Sequence, residues 1–375
     1  MNSDRTSVPS VSHSGALVSG FSVLCLLSSV ACLLGLPAAA SAQTAASRPV
    51  GYLVHTIPAG QARSFSVPFD ADTSSLPGAI GRLTAIGANY LENSAANWTA
   101  GAYSTVAAPY FVRLTSGTHA GRLFRVIGPD NTATRLYLDN DGLDLPNLGL
   151  ATGASGTAFE IVPGDTLATF FGTTTPTNTL VVHGAADPAS ADLVQVWGGA
   201  AWLNFYYNTT WARWARDSDV EADPARNHFL LRPDRGLMIT RRGATPLELA
   251  VLGRVLNTPQ RAVHARTENA LTFLATMQAG DVTLGALALQ GSTRTAAWRG
   301  AADPADADLL YVWGGATWFV FYYNTTAAQW HRVGENPAVN RDSYLLKAGT
   351  PVFVQRRTPG TTAADKTVAF PAPGT

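Results

Sequence analysis

Leu193-Val194-Gln195-Val196-Trp197-Gly198-Gly199-Ala200-Ala201-Trp202-Leu203-Asn204-Phe205-Tyr206-Tyr207-Asn208 sets two runs of β-branched and aromatic residues on either side of a glycine pair. Such residues favour strands, and a glycine pair supplies the positive φ that a tight turn between twisted strands requires. A β-hairpin is therefore expected. Asn208-Thr209-Thr210 marks a second reversal before Arg213-Trp214-Ala215-Arg216, which extends the hairpin to a three-stranded meander. Two further short strands are expected at Phe229 to Leu231 and Leu237 to Thr240, on either side of the turn-like Arg232-Pro233-Asp234-Arg235-Gly236. Leu247 to Leu256 alternates at Leu247, Leu249 and Val251, which favours a strand over a short helix.

The pattern occurs twice. Gly184 to Arg216 overlays Gly300 to Arg332 at an offset of 116, with 24 of the 33 positions identical. Shared strings include Gly-Ala-Ala-Asp-Pro from Gly184 and Gly300, Val-Trp-Gly-Gly-Ala from Val196 and Val312, and Phe-Tyr-Tyr-Asn-Thr-Thr from Phe205 and Phe321. With one residue deleted in the second copy, the match continues through Leu230-Leu231 with Leu345-Leu346 and Arg241-Arg242 with Arg356-Arg357. Upstream, Gly164-Asp165 matches Gly280-Asp281, so each copy has the size of a domain. The expected division is a leader at 1–42, an N-terminal β-rich region at 43–154, and module copies at 155–255 and 256–375. A fainter opener, Thr56-Ile57-Pro58-Ala59-Gly60 against Thr276-Met277-Gln278-Ala279-Gly280, suggests an interrupted ancestral copy near the start. Tyr110 to Leu114, Arg122 to Ile127 and Thr134 to Leu138 form another expected meander, divided by Ser116-Gly117 and Gly128-Pro129-Asp130-Asn131. The fold class these readings predict is all-β: tandem antiparallel β-sandwich or small-barrel units with an internal duplication.

The chain holds 46% hydrophobic and 14% charged residues, a balance that buries a core rather than staying disordered. Lys+Arg and Asp+Glu both number 26, so no net field draws in nucleic acid or an anionic membrane. The apolar run from Gly15 to Leu36, then Pro37 and the small residues ending Ala40-Ser41-Ala42, has the form of a signal peptide cut before Gln43. Cys25 and Cys32, the only cysteines, lie within it, so the processed chain is expected to contain no disulfide, thiolate metal site or cysteine nucleophile. A periplasmic, cell-surface or extracellular product follows, with no membrane-spanning segment left after cleavage.

Leu114-Thr115-Ser116-Gly117, Gly121-Arg122, Gly164 to Gly172, Tyr206-Tyr207-Asn208 and Arg241-Arg242, in that order after a Val50-Gly51-Tyr52 opening, resemble an uncharacterised family of exported proteins. That family occurs as many paralogues in verrucomicrobial-type bacteria. The resemblance implies secretion and no activity.

Function is less legible. In a strand from Trp202 to Tyr207, Trp202, Asn204 and Tyr206 share one face and Leu203, Phe205 and Tyr207 the other. One face is then core, and the other a candidate aromatic platform for sugar rings or a protein, formed by Trp202, Tyr206, Asn208, Trp318, Tyr322 and Asn324. The competing reading is that these aromatics fill a two-sided core. Asp139-Asn140-Asp141-Gly142-Leu143-Asp144 and Asp303-Pro304-Ala305-Asp306-Ala307-Asp308 have oxygen ligands at calcium-like spacing, though ordinary turns explain both. The mature histidines (His55, His119, His183, His228, His264 and His331) are scattered, and no catalytic, metal or cofactor motif stands out. The paired arginines have the character of strand-end charges that discourage edge pairing. A non-enzymatic exported module binding glycan or other envelope and extracellular proteins, without cofactor or nucleic acid, is the expected function. The alternatives are a purely structural or assembly role and, more distantly, a polysaccharide hydrolase or lyase.

Overall fold

Alternating exposed and covered residues carry the chain into β1 (Val50–Ile57), and two short strands follow, β2 (Ala62–Phe65) and β3 (Phe69–Asp70). The computed structural model describes residues 49–372, apart from 74–75, 77, 129, 257, 264–268, 291–297 and 358–366. The expected leader with both cysteines, and His264, lie outside the described residues. The fold is mostly β, with several antiparallel sheets and a half-barrel.

A seven-stranded sheet comes next: β4 (Ile80–Arg82), β5 (Ala85–Ile86), β6 (Tyr90–Glu92), β7 (Tyr110–Leu114), β8 (Leu123–Val126), β9 (Arg135–Asp139) and β10 (Ala158–Pro163), ordered β4-β10-β7-β8-β9-β6-β5. Its meander β7-β8-β9 is the one the sequence predicts, and Val112, Phe124, Leu138, Phe159 and Ile161 form a core of its own.

The chain then runs through β11 (Asp165–Thr166), the single-turn helix α1 (Leu167–Phe171), and the small β12 (Thr174–Thr175) and β13 (Asn178–Thr179). Thr166 starts the helix with a reciprocal cap: its hydroxyl accepts from Thr169 N, and its own N–H donates to Thr169 Oγ1. There follow β14 (Leu193–Trp197), β15 (Trp202–Asn208), β16 (Arg213–Arg216), β17 (Leu230–Leu231), β18 (Leu237–Thr240) and β19 (Leu247–Val255). Gly199, at φ 98°, turns β14 into β15 as the glycine pair predicts.

The last segment comprises β20 (Gln260–Val263), β21 (Leu271–Ala275), β22 (Val282–Thr283), β23 (Leu309–Trp313), β24 (Trp318–Asn324), β25 (Gln329–Arg332), β26 (Leu345–Leu346), β27 (Pro351–Gln355) and β28 (Thr367–Phe370). Its five-stranded sheet is ordered β25-β24-β23-β27-β21, and the earlier one β16-β15-β14-β18-β2. The edge strands agree in register. Ala62 sits opposite Thr240 and Phe65 opposite Leu237, as Leu271 sits opposite Gln355 and Leu274 opposite Val352. The remaining ladders are the three-stranded β1-β19-β3 and the two-stranded β11·β17, β12·β13, β22·β26 and β20·β28.

Pairing therefore runs across the boundary drawn at 154/155. β1 and β2 reach forward to β19 and β18, while β10, beyond the boundary, belongs to the seven-stranded sheet. The core of the first five-stranded sheet holds Val194, Phe205, Trp214 and Ile239 together with Ile57 and Phe65 from the start of the chain. The second holds Leu310, Phe321, Trp330 and Val354. Truncating a wholly buried Trp such as Trp214 to Ala costs about 3–5 kcal/mol in such a setting.

Candidate functional site

The expected aromatic platform is not flat. Trp202 is half-buried, with its ring edge-on to Trp197 (centroids 5.4 Å apart, planes at 75°), to Phe273 (5.4 Å, 82°) and to Phe353 (5.7 Å, 71°). Trp318 stands likewise against Phe353 (4.9 Å, 66°) and Phe273 (5.9 Å, 88°). Aromatic quadrupoles favour these edge-to-face contacts, which stack rings on one another rather than offering one plane to a ligand.

The seam these rings fill is reciprocal. Trp197 of the first sheet donates its indole N–H to Leu271 O on the edge strand of the second, at 2.9 Å. Trp313 of the second sheet donates to Ala62 O on the edge strand of the first, at 3.1 Å. Beside them, Ser66 N donates to Gly349 O and Ala275 N to Asp234 O. Each indole hydrogen bond satisfies a donor that would otherwise be lost at a largely apolar contact.

The other four candidates face inward. Tyr206 and Tyr322 are only 2% and 6% exposed, which corrects their placement on a binding surface. Asn208 donates to Ala186 O at 2.9 Å and Tyr206 Oη at 3.0 Å, and accepts from Trp211 N at 2.9 Å. Asn324 donates to Ala302 O and Tyr322 Oη, and accepts from Thr326 N and Ala327 N. These two amides tie down the turn after a strand, a buried polar role.

The first arginine of each pair, Arg241 and Arg356, is buried rather than exposed at a strand end, while Arg242 stays exposed. Arg241 Nη1 lies 2.5 Å from Asp192 Oδ2, and Arg356 Nε lies 2.5 Å from Asp308 Oδ2, all four side chains being buried. Asp192 further accepts from the backbone N–H groups of His183, Arg242 and Gly243. Burial pushes the Asp308 carboxyl up, against the pull of Arg356. These arginines hold the end of the strand inside the fold and do not act as exposed edge charges.

In the acidic loops, Asp139 accepts from Asp141 N, Asn140 from Gly142 N, and Asp144 from Asn147 Nδ2, while Asp303 accepts from Ala305 N. These are turn bonds, and the remaining carboxylates point elsewhere: Asp141 lies 3.5 Å from Arg232, and Asp308 pairs with Arg356. Among the described residues no three His, Cys, Asp or Glu side chains gather as metal ligands. His331 is buried with its Nε2 3.0 Å from Gln329 Nε2, and burial lowers His55 to about 4.

Two charged clusters went unrecognised in the sequence. Arg113, wholly buried in β7, bonds Asp70 and Glu160, and Arg254 Nη2 reaches both carboxylates, at 3.1 and 2.9 Å. The network joins the seven-stranded sheet to β3 and β19 and borders a cleft of about 230 Å³ lined by Pro49, Ile80, Phe159, Glu160 and Arg254. The only local signal was one arginine inside the apolar run Tyr110 to Leu114. At the second, Arg232 Nε donates to Asp234 Oδ1 at 3.0 Å. Burial would raise the Asp234 carboxyl, but Arg232 and Arg235 hold it down at about 2. Asp141, 3.5 Å from Arg232, supplies the second carboxylate of this cluster, so each cluster sets two arginines against two carboxylates and ties separate elements together.

Compared with known proteins, the chain matches no family model, no curated protein and no solved structure.

Proposed function

We propose that this chain is an exported, non-enzymatic β-protein with a structural or assembly role in the cell envelope or outside the cell. In this reading it is built from two copies of one unit. The first comprises residues 50–65 and 164–255 and is interrupted by the seven-stranded sheet, and the second runs from 260 to 370. Matching sheet orders and edge registers support the duplication, beyond the 24 identities in 33 positions. Each copy closes its five-stranded sheet with its β1·β19 or β20·β28 pair into a small sandwich. Val194 shares a core with Leu249 and Val251, and Leu310 shares one with Val368 and Phe370.

The observation that carries the functional reading is the reciprocal aromatic seam. Residues that would stack on a sugar are engaged with Phe273 and Phe353 between the sheets. Aromatics used in this way give cohesion, and the balanced buried ion pairs add to it. A glycan array with the exported chain and with Trp202→Ala and Trp318→Ala tests the idea. Weak or absent glycan binding, with a lower melting temperature in both variants, is the expected result. Saturable binding to one glycan, lost in Trp202→Ala while the melting temperature holds, overturns it in favour of a binding module.

A further inference from the structure

β1 forms an edge of its sheet, ordered β1-β19-β3, and it is eight residues long. An edge strand presents a row of unpaired N–H and C=O groups, which proteins usually blunt with charge, proline or shortness. Val50 to Ile57 contains no Lys, Arg, Asp, Glu or Pro. Three of its four outward side chains are apolar: Val50 is 74% exposed, Tyr52 67% and Val54 37%, with Leu252 of β19, 70% exposed, opposite Tyr52. The corresponding strand in the other half is treated differently. There the outer side of β20 is covered by the chain itself, since Arg261 N donates to Gly121 O at 3.2 Å and Arg122 bridges Arg261. Among the described residues no backbone group pairs with the outer side of β1.

We propose that β1 pairs antiparallel with β1 of a second copy of this chain, across a two-fold axis. The inference extends the assembly reading and rests on it. Opposed residues in an antiparallel ladder point to the same face, so outward Val50, Tyr52, Val54 and Thr56 must meet one another, which leaves few registers. The register centred on Leu53 sets Tyr52 against Val54 of the second copy and pairs residues 50–56. An aromatic then lies on a β-branched residue, and no like charges are opposed. On β19 Glu248 faces outward opposite Thr56, whereas Arg254, opposite Val50, is held by Asp70 and Glu160. A two-fold axis centred on Leu53 sets the Glu248 side chains of the two copies at opposite ends of the ladder, so no like charges meet. Beside Leu53 to Thr56 a cleft of about 350 Å³, bounded by Arg63, Lys347 and Gly349, leaves room for the end of the incoming strand. Closed two-fold dimers are the commonest outcome for a self-complementary edge.

Sedimentation equilibrium on the exported chain, purified as the cell releases it, tests the pairing over ~1–100 μM. The expected result is a dimer whose association weakens at least ~10-fold in Tyr52→Lys, because both Tyr52–Val54 contacts are lost and the two lysines become diagonal neighbours on one face of the ladder. Val220→Lys, at a position 62% exposed and outside β1, should leave it unchanged. A Tyr52→Cys/Val54→Cys double variant should cross-link to a covalent dimer on mild oxidation while the circular dichroism stays that of the parent. A monomer at every concentration, a dimer that Tyr52→Lys leaves intact, or a folded double variant that fails to cross-link overturns the pairing. The assembly reading fails separately, on saturable glycan binding.

Discussion

Arg241 and Asp192, 49 positions apart, meet inside the fold at 2.5 Å, and the carboxylate collects three backbone N–H bonds besides. Removing one member of a buried, hydrogen-bonded ion pair leaves the other charge stranded. Asp192→Ala and Arg241→Ala should each cost about 3–5 kcal/mol. Replacing both with apolar residues, as Asp192→Leu/Arg241→Met, should recover part of that loss, because no lone charge is left to desolvate. Urea denaturation of the four proteins checks this. A double variant as unstable as the sum of the singles would show that the pair is not the unit.

Trp197 and Trp313 play equivalent parts in the seam, each donating to the other half's edge strand. Trp197→Phe keeps a ring in the cluster but loses the bond to Leu271 O, so the expected cost is about 1–2 kcal/mol. Trp313→Phe should cost a similar amount, and the double variant more than either, since both bonds hold one contact. Thermal unfolding reads the order, and a silent Trp197→Phe argues that water replaces the lost donor.

Much of the β architecture was legible because its signals are local. Gly198-Gly199 between aromatic runs specifies a hairpin, and alternation at Leu247, Leu249 and Val251 specifies the strand that is β19. What the sequence concealed is non-local. Nothing in Ala62-Arg63-Ser64-Phe65 reveals that it completes a sheet whose neighbouring strand begins at Leu237. An arginine at a strand end looks the same whether it meets water or Asp192. Tyr206 and Trp202 alternate on one face by periodicity, yet that face passes from the seam, where Trp202 is half-covered, to a packed turn that buries Tyr206. Period-2 reasoning assigns a face and leaves open what covers it.

Asn208 makes three bonds from a buried site, to Ala186 O, Tyr206 Oη and Trp211 N. Asn208→Ala should therefore cost about 1–3 kcal/mol, because it leaves the buried Tyr206 hydroxyl and two partly covered backbone groups with one partner fewer. Tyr206→Phe should cost only about 1 kcal/mol, since it removes one hydroxyl bond. Denaturant midpoints decide between this and a ligand-binding role, in which Asn208→Ala would weaken capture of a ligand and leave stability near the parent.

His55 gives the fold an acid-sensitive point. Burial, with Arg63 adding to it and a backbone bond at Ser66 opposing, lowers its imidazole to about 4 from an ordinary value near 6.5. Between those two values the unfolded chain takes up a proton that the folded chain refuses, so stability falls as the pH drops through that window. The contribution is present above pH 6.5, is lost progressively towards pH 4, and amounts to at most about 3 kcal/mol. His55→Gln retains a polar side chain but does not titrate. The gap between its unfolding free energy and the parent's should therefore change by up to that amount between pH 7 and pH 4, in favour of the variant at low pH. Parallel pH curves for the two proteins would mean that the ring accepts its proton in the folded state, and the acid-sensitive role of His55 would fall.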